Sequence, residues 1–511
     1  MDLEKVPAPT PKLPPVIPPD HDHRTLVLCF DGTGDQFDSD NSNIVELVSL
    51  LKKNDPHKQM VYYQAGIGTY VFPQIATPLT AKVSKILDEM FAWNLNHHVM
   101  GGYEFLMQNY REGDKICIFG FSRGAYTARS LAGMVHKVGL LPADNHQQVP
   151  FAYKMYTRTD PIGWEQSNSF KLAFASSVPI EFIGVWDTVD SVGLIPKRLP
   201  FTASNKSVKT FRHAIALDER RAKFKANFWN RPNDHEQTLG VHTIRVPTPD
   251  PDNEKYHNEY HHDVQRRTKV SADRILDRYE RLYSTDGNHV ETDVEEVWFA
   301  GCHCDVGGGS VANKTRHSLA RIPLRWMVRE CFKANTGIMF DTDALRTIGL
   351  DPATLYPIVL PRSPQRLDAS TELMEKLTRH GLLKRLRAYW NRKANAAPSV
   401  IITTNNHTVI DEELEDLKDA LSPIYDQLQL KWGWWILEIL PLHLRYQRGN
   451  NKWVSKFTPN RADPRIIPKQ RDNGVKVHRT VQLRMQARPA PGHKSQYKPR
   501  AKFIVEPTWI D

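Results

Sequence analysis

The stretch that decides the predicted fold reads Lys115-Ile-Cys-Ile-Phe-Gly-Phe-Ser-Arg-Gly-Ala-Tyr-Thr-Ala-Arg-Ser-Leu-Ala132. Its apolar, partly β-branched residues from Ile116 to Phe119 predict a strand that is buried on both faces. The small residues and helix formers from Gly124 to Val135 predict a helix. Between the two lies Gly120-Phe-Ser-Arg-Gly124, the G-x-S-x-G pattern of a turn that lifts a serine hydroxyl above the edge of a sheet.

Ser122 is the residue at the centre of this turn. A side chain at either glycine of the pattern would collide with its neighbours, and the following helix directs its N-terminus at the serine, which favours negative charge there. The pattern occurs by chance in many chains of this length, and its structural alternative is an ordinary turn. Because it lies between a buried strand and a small-residue helix, as the motif requires, we predict that Ser122 is a nucleophile.

A second turn follows the first predicted strand, Thr25 to Phe30, and reads Asp31-Gly-Thr-Gly34. In hydrolases with a serine turn of this kind, one backbone donor for an oxyanion comes from such a loop and the other from the residue after the serine. We assign the first role to the amide of Gly32 or Thr33 and the second to the amide of Arg123. Plain turn chemistry is the structural alternative, and the pattern of a phosphate-binding P-loop is absent.

An acid candidate follows the strong strand Ile180 to Trp186. Asp187 directly abuts this strand, and its rival Asp190 lies three residues further into the loop. Carboxyl ends of parallel strands meet at one edge of a sheet, so a carboxylate here would lie on the same edge as Ser122. We favour Asp187 because the strand fixes it better.

A base candidate follows the strand Glu296 to Ala300. His303 lies there before three consecutive glycines, which would let it reach over the serine turn without obstruction. The order Ser122, Asp187, His303 is the serine, acid, histidine order of α/β-hydrolases.

The alternation of strands and helices from residue 25 to residue 135 predicts a mostly parallel sheet covered by helices on both faces. Phe211 to Phe224 predicts an amphipathic helix with a solvated charged face. Residues 233–293 are polar and irregular and are expected to form an insertion. His257 and His261 have helical i, i+4 spacing there but lack the H-E-x-x-H pattern, so we predict no metal site and no cofactor.

Length, charge and cysteine content bound the class of protein. The 511 residues suit one large domain with insertions, or two domains. The net charge of +10 is compatible with an anionic lipid surface or with nucleic acid, but the basic residues are scattered and show no nucleic-acid-binding motif, so no nucleic-acid partner is predicted. The five cysteines are an odd set, typical of reduced thiols in an intracellular protein.

The N-terminal residues 1–23 are proline-rich and contain no apolar core of a signal peptide, so we predict a disordered arm. No stretch reaches the roughly 18 apolar residues that a membrane-spanning helix needs. We expect the protein to be cytoplasmic or peripherally bound to a membrane. The sequence does not predict an oligomeric state.

Four motifs carry a resemblance to a known family: F-D-G-T-G (30–34), G-F-S-R-G-A (120–125), G-V-W-D-T-V (184–189) and F-A-G-C-H-C-D-V-G-G-G (299–309). They resemble an α/β-hydrolase family that includes the catalytic domains of bacterial type VI secretion phospholipase effectors and many fungal proteins. The resemblance covers residues 24–335 and implies an α/β-hydrolase fold. It also implies a triad of Ser122, Asp187 and His303 that cleaves acyl esters as a lipase or phospholipase. Ser310 departs from the family pattern, in which an aromatic residue is commoner at this position.

Residues 336–511 form a C-terminal extension that matches less well. Thr371 to Lys393 is basic and amphipathic, which suits either an anionic membrane surface or packing with a solvated face. Trp432 to Leu444 is aromatic and apolar, and cations follow it through Lys452, so 432–452 suits an interfacial anchor, a lid or core packing. The tail from Lys469 is expected to extend along the surface. A hydrolase-like scaffold without turnover, associated with a membrane, is the alternative function.

Overall fold

The structure is a computed structural model that describes residues 13–32, 35–66, 80–189, 198–229, 276, 279–280, 291–363, 365, 402–404, 407–447, 449, 453–487 and 496–511. The alternative acid Asp190, the histidine-rich stretch 256–263 and the basic stretch 371–393 lie outside these residues. Thr33 also lies outside them.

The strands of the described residues are numbered in chain order. They are β1 (Val16–Ile17), β2 (Thr25–Phe30), β3 (Gln59–Gln64), β4 (Lys115–Phe121), β5 (Ile180–Trp186), β6 (Val208–Ala216), β7 (Asp293–Phe299), β8 (Phe340–Asp341), β9 (Ile402–Thr404), β10 (His407–Val409), β11 (Leu442–Gln447), β12 (Trp453–Thr458), β13 (Lys476–His478) and β14 (Thr508–Ile510).

The α-helices are numbered in the same way. They are α1 (Asn43–Leu50), α2 (Thr80–Asn109), α3 (Ser122–Val138), α4 (Val149–Thr157), α5 (Pro161–Phe174), α6 (His303–Gly307), α7 (Arg321–Lys333), α8 (Thr342–Thr347), α9 (Glu412–Ala420), α10 (Gln427–Leu430), α11 (Trp435–Ile439), α12 (Gln470–Asn473) and α13 (Thr480–Gln486).

Eight strands form one central sheet in the order β14-β13-β7-β6-β5-β4-β2-β3. All seven neighbouring pairs in this sheet run parallel. β4 lies inside the sheet between β2 and β5, so its carboxyl end is flanked on both sides by other strand ends. The predicted α/β fold with a mostly parallel sheet flanked by helices is confirmed.

Side chains of the inner strands alternate between two apolar clusters, one on each face of the sheet. Leu26 and Leu28 of β2 pack with residues of α2, α3 and α4 on one face. Val27 and Cys29 pack with residues of α1 and α7 on the other face. The continuous apolar strand runs of the sequence are therefore explained by burial on both sides.

The predicted helix from Phe211 to Phe224 is wrong. Residues Val208–Ala216 form β6, which pairs with β5 on one side and β7 on the other. Phe211 and Ile215 are completely buried in the sheet. The apolar residues of this stretch have helical spacing, but pairing with a strand on each side is more favourable than a helix. The local sequence does not reveal these backbone hydrogen bonds, because their partners are distant in the chain.

The described part of the proline-rich arm is also not disordered. Val16–Ile17 pair antiparallel with Phe340–Asp341, and Ile17 is completely buried. The C-terminal tail differs too, since β13 and β14 extend the central sheet beyond β7 rather than lying along the surface. Three-residue strands are too short to show an alternating pattern, so the sequence could not predict them.

No helix within the described ranges is both long and apolar enough to cross a membrane. Among the same residues, no group of three or more histidine, cysteine, aspartate or glutamate side chains could hold a metal ion. The five cysteines are free thiols, and four of them are buried.

Candidate active site

The turn between β4 and α3 has the geometry that its sequence predicted. Ser122 is the first residue of α3 and has a left-handed φ of 58°, which is uncommon for a residue with a side chain. A Cβ at Gly120 would lie 2.5 Å from the carbonyl oxygen of Gly124, and one at Gly124 would lie 2.3 Å from the carbonyl oxygen of Asp31. The predicted steric need for both glycines is therefore confirmed.

The three side chains predicted as nucleophile, base and acid lie in one chain of contacts. Nε2 of His303 lies 2.8 Å from Oγ of Ser122, and Nδ1 of His303 lies 2.5 Å from Oδ2 of Asp187. Ser122 begins α3, Asp187 directly follows β5, and His303 begins α6, four residues after β7 ends. The parallel sheet brings together residues that are 116 and 181 positions apart in the sequence.

His303 is almost completely buried and has aromatic rings on both sides. Its exposed fraction is 3%, and that of Ser122 is 4%. The imidazole ring lies between the rings of Phe121 and Phe224, each with a centroid distance of 4.8 Å. The ring of Trp434 packs in turn against Phe224 at 5.7 Å. Trp434, in the aromatic stretch predicted as an anchor, a lid or core packing, is therefore separated from His303 by the ring of Phe224 alone.

Burial and charge set the protonation states of this chain of contacts. Burial lowers the pKa of His303, although the hydrogen bond and charge of Asp187 oppose this effect. Burial alone would raise the pKa of Asp187, but the Arg465 guanidinium and the His303 hydrogen bond hold it well below its usual value. An ionised Asp187 has no proton to donate, so Nδ1 of His303 carries the proton and Nε2 accepts from the Ser122 hydroxyl.

Asp187 is held by a group that the sequence did not suggest. Arg465 donates from Nη1 to Oδ1 of Asp187 at 2.5 Å and from Nη2 to Oδ2 at 2.8 Å. The amide of Ala216 also donates to Oδ1, at 2.8 Å. Arg465 lies outside the described strands and helices, between β12 and α12, so no periodic pattern marks it.

His213 is a second residue that the sequence did not suggest. Its Nε2 accepts the amide proton of Thr188 at 3.1 Å, directly after Asp187, and its Nδ1 lies 3.0 Å from Oε1 of Glu296. Asp187 itself has a left-handed φ of 43°. His213 therefore fixes the backbone next to a residue in a strained conformation. The predicted helix at 211–224 gave no reason to single out His213.

The backbone donors predicted for an oxyanion have different outcomes. The amide of Gly32 donates to Oδ1 of Asp31 at 2.8 Å, so this structure argues against Gly32 as an oxyanion donor. Thr33 is outside the described residues and stays a prediction. Arg123 lies in the first turn of α3, whose N–H groups point out of the helix toward its N-terminal end.

With this geometry established, residues 24–330 match the model of one protein family, described as the type VI secretion system phospholipase effector Tle1-like catalytic domain. The match spans well over half of the 511 residues. The chain belongs to this family. We call residues 24–330 the Tle1-like region. A family of phospholipase catalytic domains supports a hydrolytic activity for the chain.

A relative that matches most of the chain occurs in yeast. An uncharacterized protein of Saccharomyces cerevisiae is 29% identical over 550 residues, which cover 90% of this chain and 79% of the yeast protein. The similarity therefore extends beyond the Tle1-like region into the C-terminal residues.

Two solved structures show weaker similarity. One is an uncharacterized protein from Pseudomonas aeruginosa, with 18% identity, a TM-score of 0.33 and coverage of 62% of this chain and 46% of that one. The other is the Tle1 effector bound to the VgrG spike of the type 6 secretion system, with 16% identity, a TM-score of 0.24 and coverage of 63% and 61%. The chain spans less than two thirds of either protein.

Proposed function

We propose that this Tle1-like protein is a serine hydrolase that cleaves carboxylic acyl esters, with phospholipids as its substrate class. The observation that supports this proposal best is the contact chain from Ser122 through His303 to Asp187. The family match supports a lipid substrate, because the family is described as a phospholipase catalytic domain.

Each of the three side chains has a role that follows from its position. His303 takes the proton of the Ser122 hydroxyl as this oxygen attacks the ester carbonyl, and then gives the proton to the leaving alcohol. Asp187 keeps the imidazole in the tautomer with its proton on Nδ1 and stabilises the charged form that arises in the reaction. Amide donors at Arg123 and Thr33 would stabilise the oxyanion. Water then cleaves the acyl-enzyme through the same base.

Ser122 is almost completely buried, with an exposed fraction of 4%, so a lipid substrate needs an apolar path to it. An exposed apolar surface lies close to the site, and we call it the Trp432 surface. Its members are large apolar side chains that are at least 38% exposed, and they are Leu430, Trp432, Trp435, Ile436, Ile439 and Leu440. Lys431 within this stretch and Lys456 on β12 are exposed cations. We propose that the Trp432 surface contacts an anionic lipid surface, which is consistent with its mixture of aromatic residues and cations.

A fluorophosphonate probe tests the proposed nucleophile directly, because it reacts with an activated serine. We expect wild-type protein to be labelled and to turn over acyl esters, and Ser122→Ala to do neither. Ser130→Ala is the matched control, since Ser130 is a buried serine of the same helix whose hydroxyl donates to the carbonyl of Tyr126. Equal labelling of wild type and Ser122→Ala would contradict the proposal. No labelling of either would favour the non-catalytic scaffold.

A further inference from the structure

Arg465 is a buried residue of the C-terminal extension, 135 positions beyond the end of the Tle1-like region at residue 330. Its guanidinium makes two parallel hydrogen bonds to Asp187. It also donates to the carbonyl of Ala216 at 3.2 Å and, from Nη2, to the carbonyl of Phe224 at 2.7 Å. Phe224 is itself in ring contact with His303. Arg465 therefore touches both the candidate acid and the wall of the histidine pocket.

We propose that Arg465 is a positioning residue for ester hydrolysis, which makes the C-terminal extension part of the working active site rather than an appendage. This inference rests on the proposed serine hydrolase function. Arg465 would act only through Asp187, and it would not touch the substrate.

Arg465 fixes the orientation of the Asp187 carboxylate. The torsion that rotates a carboxylate about its Cβ–Cγ bond has a broad energy minimum, so something must fix the plane in which Oδ2 faces His303. The planar guanidinium fork of Arg465 matches both oxygens of Asp187 at once. Ala216 contributes one further donor, and it binds Oδ1 alone. Among the described contacts, Arg465 is thus the group that binds both oxygens.

The positive charge of Arg465 also acts on His303 through Asp187. Nη2 of Arg465 and Nδ1 of His303 both bind Oδ2 of Asp187. The guanidinium therefore neutralises part of the Asp187 charge, which would otherwise stabilise a protonated imidazole. Within the part of the chain that the structure describes, the charged groups acting on His303 are Asp187, Glu219 and Arg221, and Arg465 adds a fourth charge through Asp187. These are two acids and two bases in a buried space. Removing the charge of Arg465 leaves an excess negative charge, which favours the imidazolium form.

The sign of the effect on activity follows. Hydrolysis requires neutral His303 as the base, so activity is lost as pH falls through the pKa of this residue. Because loss of the Arg465 charge raises that pKa, the acid limb of the pH–rate profile should move to higher pH. A residue that merely anchors the C-terminal extension would not produce this shift.

The experiment compares Arg465→Gln, which removes the charge, with Arg465→Lys, which keeps the charge but cannot bind both oxygens in parallel. Arg471→Gln is the control, because Arg471 is an exposed arginine of the same segment. A soluble short-chain ester gives kcat, KM and the pH–rate profile. The Nδ1 proton resonance of His303 and its titration are followed by NMR, which needs no turnover. Thermal unfolding reports the folded fraction.

For Arg465→Gln we expect a fall in kcat on the order of 10²-fold, little change in KM, and an acid limb at higher pH. Arg465→Lys should lose less kcat and keep its acid limb near that of wild type. If Arg465→Gln does not fold, the kcat of Arg465→Lys tests the inference, because this variant keeps the charge and loses only the parallel hydrogen bonds to Asp187. The control should match wild type.

Two results would overturn the inference. One is a kcat and an imidazole titration that match wild type in both folded variants. The other is a loss of activity that only follows the loss of folded protein, with an unchanged His303 titration, which would show a structural role. Failure of wild-type protein to hydrolyse esters would instead count against the proposed function, and the NMR titration would still decide whether Arg465 tunes His303.

Discussion

The Tle1-like region and the C-terminal extension differ in the contacts that fix them in place. The Tle1-like region is built on a parallel sheet between two apolar clusters. The extension joins this framework through β13, β14 and buried apolar residues such as Leu417 and Val477. It also docks onto α7 through buried ion pairs, in which Arg325 contacts Asp416 at 2.5 Å and Asp419 at 2.6 Å. Arg329 contacts Glu412 at 2.6 Å.

This difference has a consequence for the proposed active site. The hydrophobic effect has no preferred direction, whereas a bidentate ion pair requires a defined orientation of both partners. The extension is tied to the Tle1-like region by directional contacts on α7 and again at Asp187 through Arg465. We infer that these ion pairs, together with the pairing of β13 against β7, give the extension a fixed position beside the site.

The largest effect should come from the candidate acid in the Tle1-like region. Asp187→Asn removes the charge but keeps the shape, so the amide can force the wrong tautomer of His303. We expect kcat for a soluble ester to fall by about 10⁴-fold. This exceeds the loss predicted for Arg465→Gln, because Arg465 acts only through Asp187. An Asp187→Asn loss smaller than that of Arg465→Gln would contradict this ranking.

A large stability effect should come from the ion pairs that dock the extension. Arg325→Met removes the arginine partner of Asp419 and leaves Asp416 paired with Arg362 alone. Because a buried ion pair is broken, we expect the free energy of unfolding to fall by about 3 kcal/mol. Arg321→Met is the control on the same helix, because Arg321 and its partner Glu46 are partly exposed. Its loss should be about 0–1 kcal/mol. Denaturant unfolding measures both, and equal losses would show that docking does not depend on the buried pairs.

A moderate effect on lipid hydrolysis should come from the Trp432 surface. Trp432 and Ile439 are 80% and 68% exposed, so replacing both with Ser should leave folding and soluble-ester cleavage intact. Burying a large apolar side chain contributes about 1.5–3 kcal/mol, so hydrolysis of anionic vesicles should fall about tenfold or more. Trp434 is not suitable for this test because it packs against Phe224 beside His303.

The control for this prediction lies in the Tle1-like region. Leu172 on α5 is 82% exposed, and Phe174, two residues further along the helix, is 58% exposed. Leu172→Ser should leave vesicle hydrolysis unchanged if the extension makes the lipid contact. A loss in Leu172→Ser with none in the Trp432 and Ile439 variant would assign the contact to the Tle1-like region instead.

The smallest effect concerns the pH dependence of the wild-type protein. Burial lowers the pKa of His303, so its neutral form persists to lower pH than that of an exposed histidine. The acid limb of kcat/KM for a soluble ester should therefore lie below the ordinary histidine pKa of about 6.5. An acid limb above this value would show that Asp187 outweighs burial and Arg465 together.

The sequence by itself determined the strands that position the candidate site. β2, β4 and β5 were predicted from continuous apolar runs, since burial on both faces leaves a local signature in the residues themselves. Ser122, Asp187 and His303 were predicted because each follows a strand, and the ends of parallel strands share one edge. This reasoning needs only short-range patterns and one general rule about sheets.

The tertiary structure alone decided the rest. β6 became a strand because β5 and β7 pair with it, and β13 and β14 joined the sheet because its edge was open to them. Arg465 reached Asp187 from 278 positions away, in a segment with no regular pattern. Such contacts depend on which distant strand or charged residue becomes a neighbour after folding. A local stretch of sequence therefore cannot predict them.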